Sequence, residues 1–460
     1  MTSIARSDSE SPELSPEYST ALNKAAKASF IGNFIEWFDY ASYGYLAIVI
    51  GHVFFPAGDT TTQLMNTYAI FAVSFILRPI GAVVWGAWGD RKGRRWALSW
   101  SILLMSGSTF LIGLLPGYAS IGVAAALGLL VLRMVQGFSA SGEYAGAGTF
   151  LAEYAPAAKR GMYTSLVPAS TAAGLLAGSL MVSAMFMVLD DDAMQSWGWR
   201  IPFLLAGPLG LIGRYIRVHL EDSPVYQEMV EEMPQDKSAG NSIEPLLELL
   251  RFHKREVLIT FGVSCLNAVA FYMLLSYMPT YVHEELGFSA DTATLATSIM
   301  LAVYIAAIFL MGHLSDLFGR RRMLIGACVA FIILTIPLFY VMTHAAGMLI
   351  AVIACQIVFA LILTANDGTL ATFLAESFPT EVRYSGFALS FNGANALLGG
   401  TTPYIVTWLI KATGSPLAPA VYLTVVSVIA MVAILMSRVI HGSELTSSAA
   451  DPAHGAADGR

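Results

Sequence analysis

Four acidic residues stand inside long apolar runs: Glu36 and Asp39 in IGNFIEWFDYASYGY (31–45), Glu143 in QGFSASGEYAGAG (136–148) and Asp367 in LILTANDGTL (361–370). A low-dielectric surrounding disfavours the charged form of a carboxylate, so an acid held there can accept a proton and later give it up. That chemistry makes all four candidate proton carriers. Asn33, Glu36, Tyr40 and Tyr43 recur at helical spacing and share one face, and Glu36 and Asp39, three apart, are neighbours. Two arginines lie in similar runs, Arg78 just before Pro79 and Arg133 in VLRMVQG. Arg133 and Glu143 are about 15 Å apart along a helix and cannot pair, so Arg133 is expected to meet a carboxylate from an earlier helix. Arg78 is expected to pair with Glu36 or Asp39, the alternative being direct contact with an anionic ligand. Glu36 and Asp39 also have a structural alternative, bonding to a neighbouring helix. For Glu143 the proton or ligand role and the structural pairing are both open. Asn267, Asn392, Tyr144, Tyr272 and Tyr277 add polar groups to otherwise apolar runs.

The elements that must hold these residues are long and hydrophobic. Of 460 residues, 56% are hydrophobic and 12% charged, with mean hydropathy +0.64, against about 25% charged in a soluble domain. Lipid is the expected solvent. Windows of about 20 apolar residues, enough to cross a bilayer, fall near 28–54, 64–89, 96–115, 120–145, 162–188, 200–219, 256–282, 293–315, 323–343, 347–373, 385–411 and 417–438. The spacing therefore predicts an all-α integral membrane protein with twelve spans. A polar stretch at 220–255 divides residues 28–219 from residues 256–440, six spans each. The preceding tail, 1–27, is Ser- and Glu-rich and contains no apolar signal-peptide core. The closing stretch, 441–460, is small and polar and is expected to be disordered.

Lys and Arg accumulate on the cytoplasmic side of membrane proteins. With the N-terminus inside, Arg200 and Lys411 fall outside and Arg78 and Arg133 fall within spans; all other basic residues are cytoplasmic or, like Arg214 and Arg217, at the cytoplasmic end of a span. Both termini are thus expected in the cytoplasm and the protein in the inner membrane, with lipid as a partner and no basic face left for nucleic acid. The three cysteines, Cys265, Cys328 and Cys355, all lie in apolar runs, which argues against a disulfide framework or metal cluster. No Ser/His/Asp set, metal-ligand cluster or phosphate loop points to an enzyme. Trp85, Trp88 and Trp96 are read as interfacial anchors.

Two segments recur. GAWGDRKGRR (86–95) returns as GHLSDLFGRR (312–321), and FLAEYAPAAKRG (150–161) as FLAESFPTEVRYSG (373–386). Their similar offsets imply a duplicated six-helix unit, and parallel repeats of this kind frame a site near the midplane and rock about it. In the two loops, Asp90 and Asp316 stand beside Arg91, Arg94 and Arg320, next to Gly93 and Gly319. Such acid–base pairs are expected to latch the halves on the cytoplasmic side.

The loop Gly86, Asp90, Arg91, Gly93, Arg94, Arg95 resembles the signature of the major facilitator superfamily; the second copy departs from it at Leu317. GNFIEWFDYASYG (32–44), RPIGA (78–82), RMVQGFSASGEYAGA (133–147) and WGWRIPF (197–203) resemble its metabolite:proton symporters. FYMLLSYMPTYV (271–282) and VRYSGFALSFN (382–392) are most similar to the proline/glycine-betaine branch. The resemblance implies the major facilitator fold, two six-helix repeats, and symport of a small zwitterion such as proline, glycine betaine or ectoine. The proton is then the coupling ion and no cofactor is called for. It further implies proton coupling at Glu36, Asp39, Glu143 and Asp367. Ligand contacts are expected from Asn33, Tyr40, Tyr43, Arg78, Arg133, Tyr144, Asn267 and Asn392, with aromatic rings around the cationic end. Relatives that carry organic acids such as 2-oxoglutarate, citrate or shikimate share most of these motifs and give the alternative substrate class. Some osmosensory relatives carry a long heptad-bearing C-terminal extension, and this sequence has no such heptads after its last span.

Overall fold

A computed structural model describes residues 16–58, 60–219, 244–345 and 347–437. Its described residues are almost wholly helical. Ten helices are long and apolar enough to cross a membrane: 66–92, 95–114, 123–154, 157–188, 191–218, 254–284, 292–318, 320–344, 349–376 and 418–436. Two further long helical stretches belong to the same bundle, Pro16–Tyr45 continued by Ala47–Phe54, and Arg383–Ala394 continued to Thr413. These correspond to the first and eleventh expected spans. They fall short on composition because they carry the polar side chains that face the interior, among them Glu36, Asp39, Arg383, Asn392 and Asn395.

The polarity of the bundle is that of a protein dissolved in lipid. Leu127, Val131, Leu310, Ile333 and Val428 are exposed on the outside while Glu36, Asp39, Arg78, Arg133 and Asp367 are buried. Backbone groups at that depth must bond within the chain, and helices do this without help. The first helix packs along Leu166–Val188; a Cβ on Gly178 would lie 2.6 Å from the Cβ of Ala41, so the small residue sets the approach.

Several boundaries differ from expectation. Helix begins at Pro16, inside the expected tail 1–27, because Leu22, Ala25 and Ala28 pack against Leu98, Phe150 and Tyr154. Residues 1–15 lie outside the described part, as does the tail 441–460. Within the expected loop 220–255 a short helix, Glu244–Phe252, seats Leu249 against Phe378 and Val382; residues 220–243 are not described. Trp85 is not an interfacial anchor: it is buried, and its Nε1 donates to Phe138 O at 3.0 Å. Cys265, Cys328 and Cys355 are buried free thiols.

The two signature loops share one backbone shape. Gly93 (φ 97°, ψ 147°) and Gly319 (φ 93°, ψ 144°) join consecutive helices in a conformation essentially confined to glycine. This is the physical content of the repeated Gly–Asp–Gly frame.

Candidate functional site

Pro79 lacks a backbone N–H, and its ring crowds the carbonyl four residues back, so the helix breaks at Leu77 and restarts at Arg78. Arg78 thereby enters the bundle at mid-depth. Its Nη2 lies 3.4 Å from Glu36 Oε1, and its guanidinium stacks over Phe75 at 4.4 Å and Tyr40 at 5.2 Å. The other oxygen of Glu36, Oε2, is buried with no hydrogen-bond partner among the described residues. One helical step on, Asp39 Oδ2 takes bonds from Arg133 Nη1 at 3.2 Å and Gln136 Nε2 at 2.8 Å. Arg133 rests 3.5 Å above the Tyr43 ring, and Gln136 is held by Thr109. Both central arginines therefore meet first-helix carboxylates.

Glu143 has a cation of its own. It is clasped by Arg217, with Nη1 to Oε2 at 2.9 Å and Nη2 on Oε1, and Ser101 donates to it at 3.2 Å. Arg217 also donates to Leu98 O and Ala28 O, tying its own helix to three others. Asn33 donates to Val167 O, Ser170 and Thr171 while its Oδ1 is buried with no partner among the described residues, and the Tyr43 hydroxyl donates to Thr67 O at 3.0 Å. Asn392 crosses to the other half, donating to Ser141 O at 2.8 Å, and Tyr144 stacks on Phe391 at 4.2 Å.

Asp367 is different in kind. Asn267 Nδ2 donates to one oxygen at 2.7 Å and Tyr304 Oη to the other at 2.5 Å, and it forms no ion pair among the described residues. Its two oxygens are thus held by neutral donors alone. Tyr304 and Arg217 escaped sequence reasoning: Tyr304 read as one aromatic among many, and Arg217 as a basic residue at a helix end.

The repeats meet in a two-fold latch at the face carrying the signature loops. Asp90, of the N-terminal half, accepts from Tyr384 N (3.3 Å), Ser385 N (3.0 Å) and Ser385 Oγ (2.6 Å). Asp316, of the C-terminal half, accepts from the equivalent positions of the first repeat, Gly161 N (2.8 Å) and Met162 N (2.9 Å). Each aspartate thus caps the first turn of a helix in the opposite half, where unpaired N–H groups and the helix dipole favour an anion. Across the seam the caps are made by backbone N–H groups and the Ser385 hydroxyl. Arg320 bonds Asp316 at 2.6 Å within its own half; Arg91 lies in a last helical turn and Arg94 opens the next helix. Arginines of the second echo cross instead. Arg160 reaches Glu376 at 2.8 Å and Arg383 reaches Glu153 at 3.0 Å. The backbones of Gly161 and Gly312 touch between these pairs: a Cβ on either would lie 2.6 Å from the other's carbonyl oxygen.

A duplicated, multi-pass helical bundle with ionisable groups buried along its seam and a polar latch at one face is built as a secondary transporter. The chain belongs to the Major Facilitator Superfamily, whose family model matches residues 29–292; a model described as sugar (and other) transporter matches residues 227–446. The proline/betaine transporter of Salmonella typhimurium is 39% identical, the match covering 89% of this chain and 82% of that one. The glycine betaine/proline/ectoine/pipecolic acid transporter OusA of Dickeya dadantii matches at the same identity and coverage. Among solved structures, the proton:xylose symporter XylE bound to 6-bromo-6-deoxy-D-glucose superposes with a TM-score of 0.75 at 18% identity, over 93% of this chain and 98% of that one. That likeness is one of fold.

Proposed function

We propose that this protein imports a small zwitterionic osmolyte, of the proline, glycine betaine or ectoine kind, together with protons. The relatives' substrates motivate the class. The observation that carries it here is that each central arginine already has a carboxylate partner, Arg78 with Glu36 and Arg133 with Asp39. Glu143 likewise occupies Arg217. A dicarboxylate would need two uncommitted cations, whereas a zwitterion brings its own positive charge and one carboxylate. This arrangement counts against the organic-acid alternative.

In this reading Glu36, with one oxygen unpaired, and Asp367, with no cation, carry the coupling proton. Asp39 and Glu143 hold the helices. Arg78 and the rings around it face the substrate, and the Asp90 and Asp316 caps close the cytoplasmic side. The chain crosses an inner membrane twelve times as two six-helix bundles, and the distribution of Lys and Arg supports both termini being in the cytoplasm.

Reconstituted liposomes with an inward proton gradient test the proposal. Labelled proline and glycine betaine should accumulate, labelled 2-oxoglutarate should not, and a protonophore should abolish accumulation. Uptake indifferent to the gradient, or strongest for 2-oxoglutarate, contradicts it.

A further inference from the structure

Where the halves meet beside Glu36, aromatic rings from both sides interlock. Trp37, from the first helix, contacts Phe271 at 4.8 Å between ring centres and Tyr272 at 6.0 Å; Phe75 contacts Tyr272 at 5.5 Å. Tyr272 opens a π-helical turn, Tyr272–Tyr277, a local departure from α geometry common at functional sites. Its ring fits because position 399 is glycine; a Cβ there would lie 2.8 Å from Tyr272 Cε2.

Five polar atoms of this cluster are buried with no hydrogen-bond partner among the described residues, Trp37 Nε1, Tyr272 Oη and Glu36 Oε2, with Tyr40 Oη and Arg78 Nε beside them. Buried polar atoms are rarely left so, and their chemistry is specific. The indole N–H only donates, an ionised carboxylate oxygen only accepts, and a phenol does either. The Trp37 and Arg78 N–H donors suit a carboxylate, and the Tyr272 and Glu36 acceptors among ring faces suit the secondary ammonium joined to it, which has two N–H bonds to give. A quaternary ammonium has none, and is held by ring faces alone.

We propose that Trp37 and Tyr272 set the ranking among ammonium-bearing substrates. Tyr272 Oη and the Glu36 oxygen that does not hold the coupling proton accept the N–H bonds of a secondary ammonium, and the Trp37 ring supplies the face that holds a quaternary one. This inference rests on the osmolyte reading above. Because Trp37 and Tyr272 belong to opposite halves, the site is complete only when the halves close on the ligand.

The test compares proline with glycine betaine in reconstituted full-length protein. Tyr272→Phe keeps the ring and removes the hydroxyl, so it should raise the KM for proline relative to that for glycine betaine by about tenfold, the effect of one lost hydrogen bond to a charged group. Trp37→Leu removes a ring face and should move the same ratio the other way. A ligand series on the wild-type protein supports this without relying on a variant's folding. Proline, N-methylproline and N,N-dimethylproline lose their N–H bonds one at a time, and affinity should fall stepwise, with the steps flattened in Tyr272→Phe. Parallel shifts for both substrates, or a flat wild-type series, overturn the inference while leaving osmolyte transport standing. A wild-type protein that carries neither substrate overturns both.

Discussion

Asp90→Asn isolates the charge of one cap. The asparagine keeps the shape but only one acceptor oxygen, and because Tyr384 N and Ser385 N bond different oxygens of Asp90, one of them would face the amide NH2. One bond to a charged partner lost and the other weakened to a neutral one cost about 2 kcal/mol together. These bonds join opposite halves and exist only while this face is closed. The loss therefore falls on one side of the open–closed equilibrium, and about 2 kcal/mol is a factor of about 30. Ala371 is a suitable reporter: it is buried at the seam, and a Cβ on Gly148 of the other half would lie 3.7 Å from its own. The native cysteines are all buried elsewhere. In inside-out vesicles, alkylation of Ala371→Cys should run about 30 times faster in the Asp90→Asn background, with uptake slowed and protein level little changed. An alkylation rate within twofold of the parent would refute the latch.

Other substitutions probe the remaining parts. Arg217→Ala leaves Glu143 buried without its cation, which should cost about 3–5 kcal/mol; replacing both with Met and Gln should recover most of that in thermal unfolding of the purified protein. Equal losses in single and double variants would show that the pair is not the cause. Gly93→Ala and Gly319→Ala force a Cβ into backbone angles of φ 97° and 93° and should each destabilise by about 1–3 kcal/mol, read as a lower unfolding temperature; unchanged midpoints would contradict the strain argument. Asp367→Asn should abolish accumulation against a gradient yet keep exchange of internal for external substrate; retained accumulation would remove Asp367 from proton coupling.

Much of the fold was legible because hydrophobic length and repeated loops are local signals. The paired loops identified Asp90 and Asp316 from spacing alone. The recipients of those aspartates were not legible: they are backbone N–H groups nearly 300 residues away for Asp90 and some 150 for Asp316, and no side-chain pattern marks a helix end as a partner. Local reading favoured the adjacent arginines instead. The same limit hid Arg217, whose partner Glu143 lies 74 positions earlier. Arg78 and Arg133 were easier, since buried cations require anions and the first helix offered the nearest ones. Ring clusters such as Trp37 with Tyr272 gave no signal, because aromatic residues are common in every span and only the meeting of the halves selects these two.

In a symporter of this kind substrate entry and proton entry are one event, governed by the buried acids. Liposomes holding a pH dye, with no imposed gradient, measure this directly when proline or glycine betaine is added outside. The lumen should acidify as substrate enters, and both signals should disappear together in Glu36→Gln. Substrate entry with no change in internal pH would contradict the account.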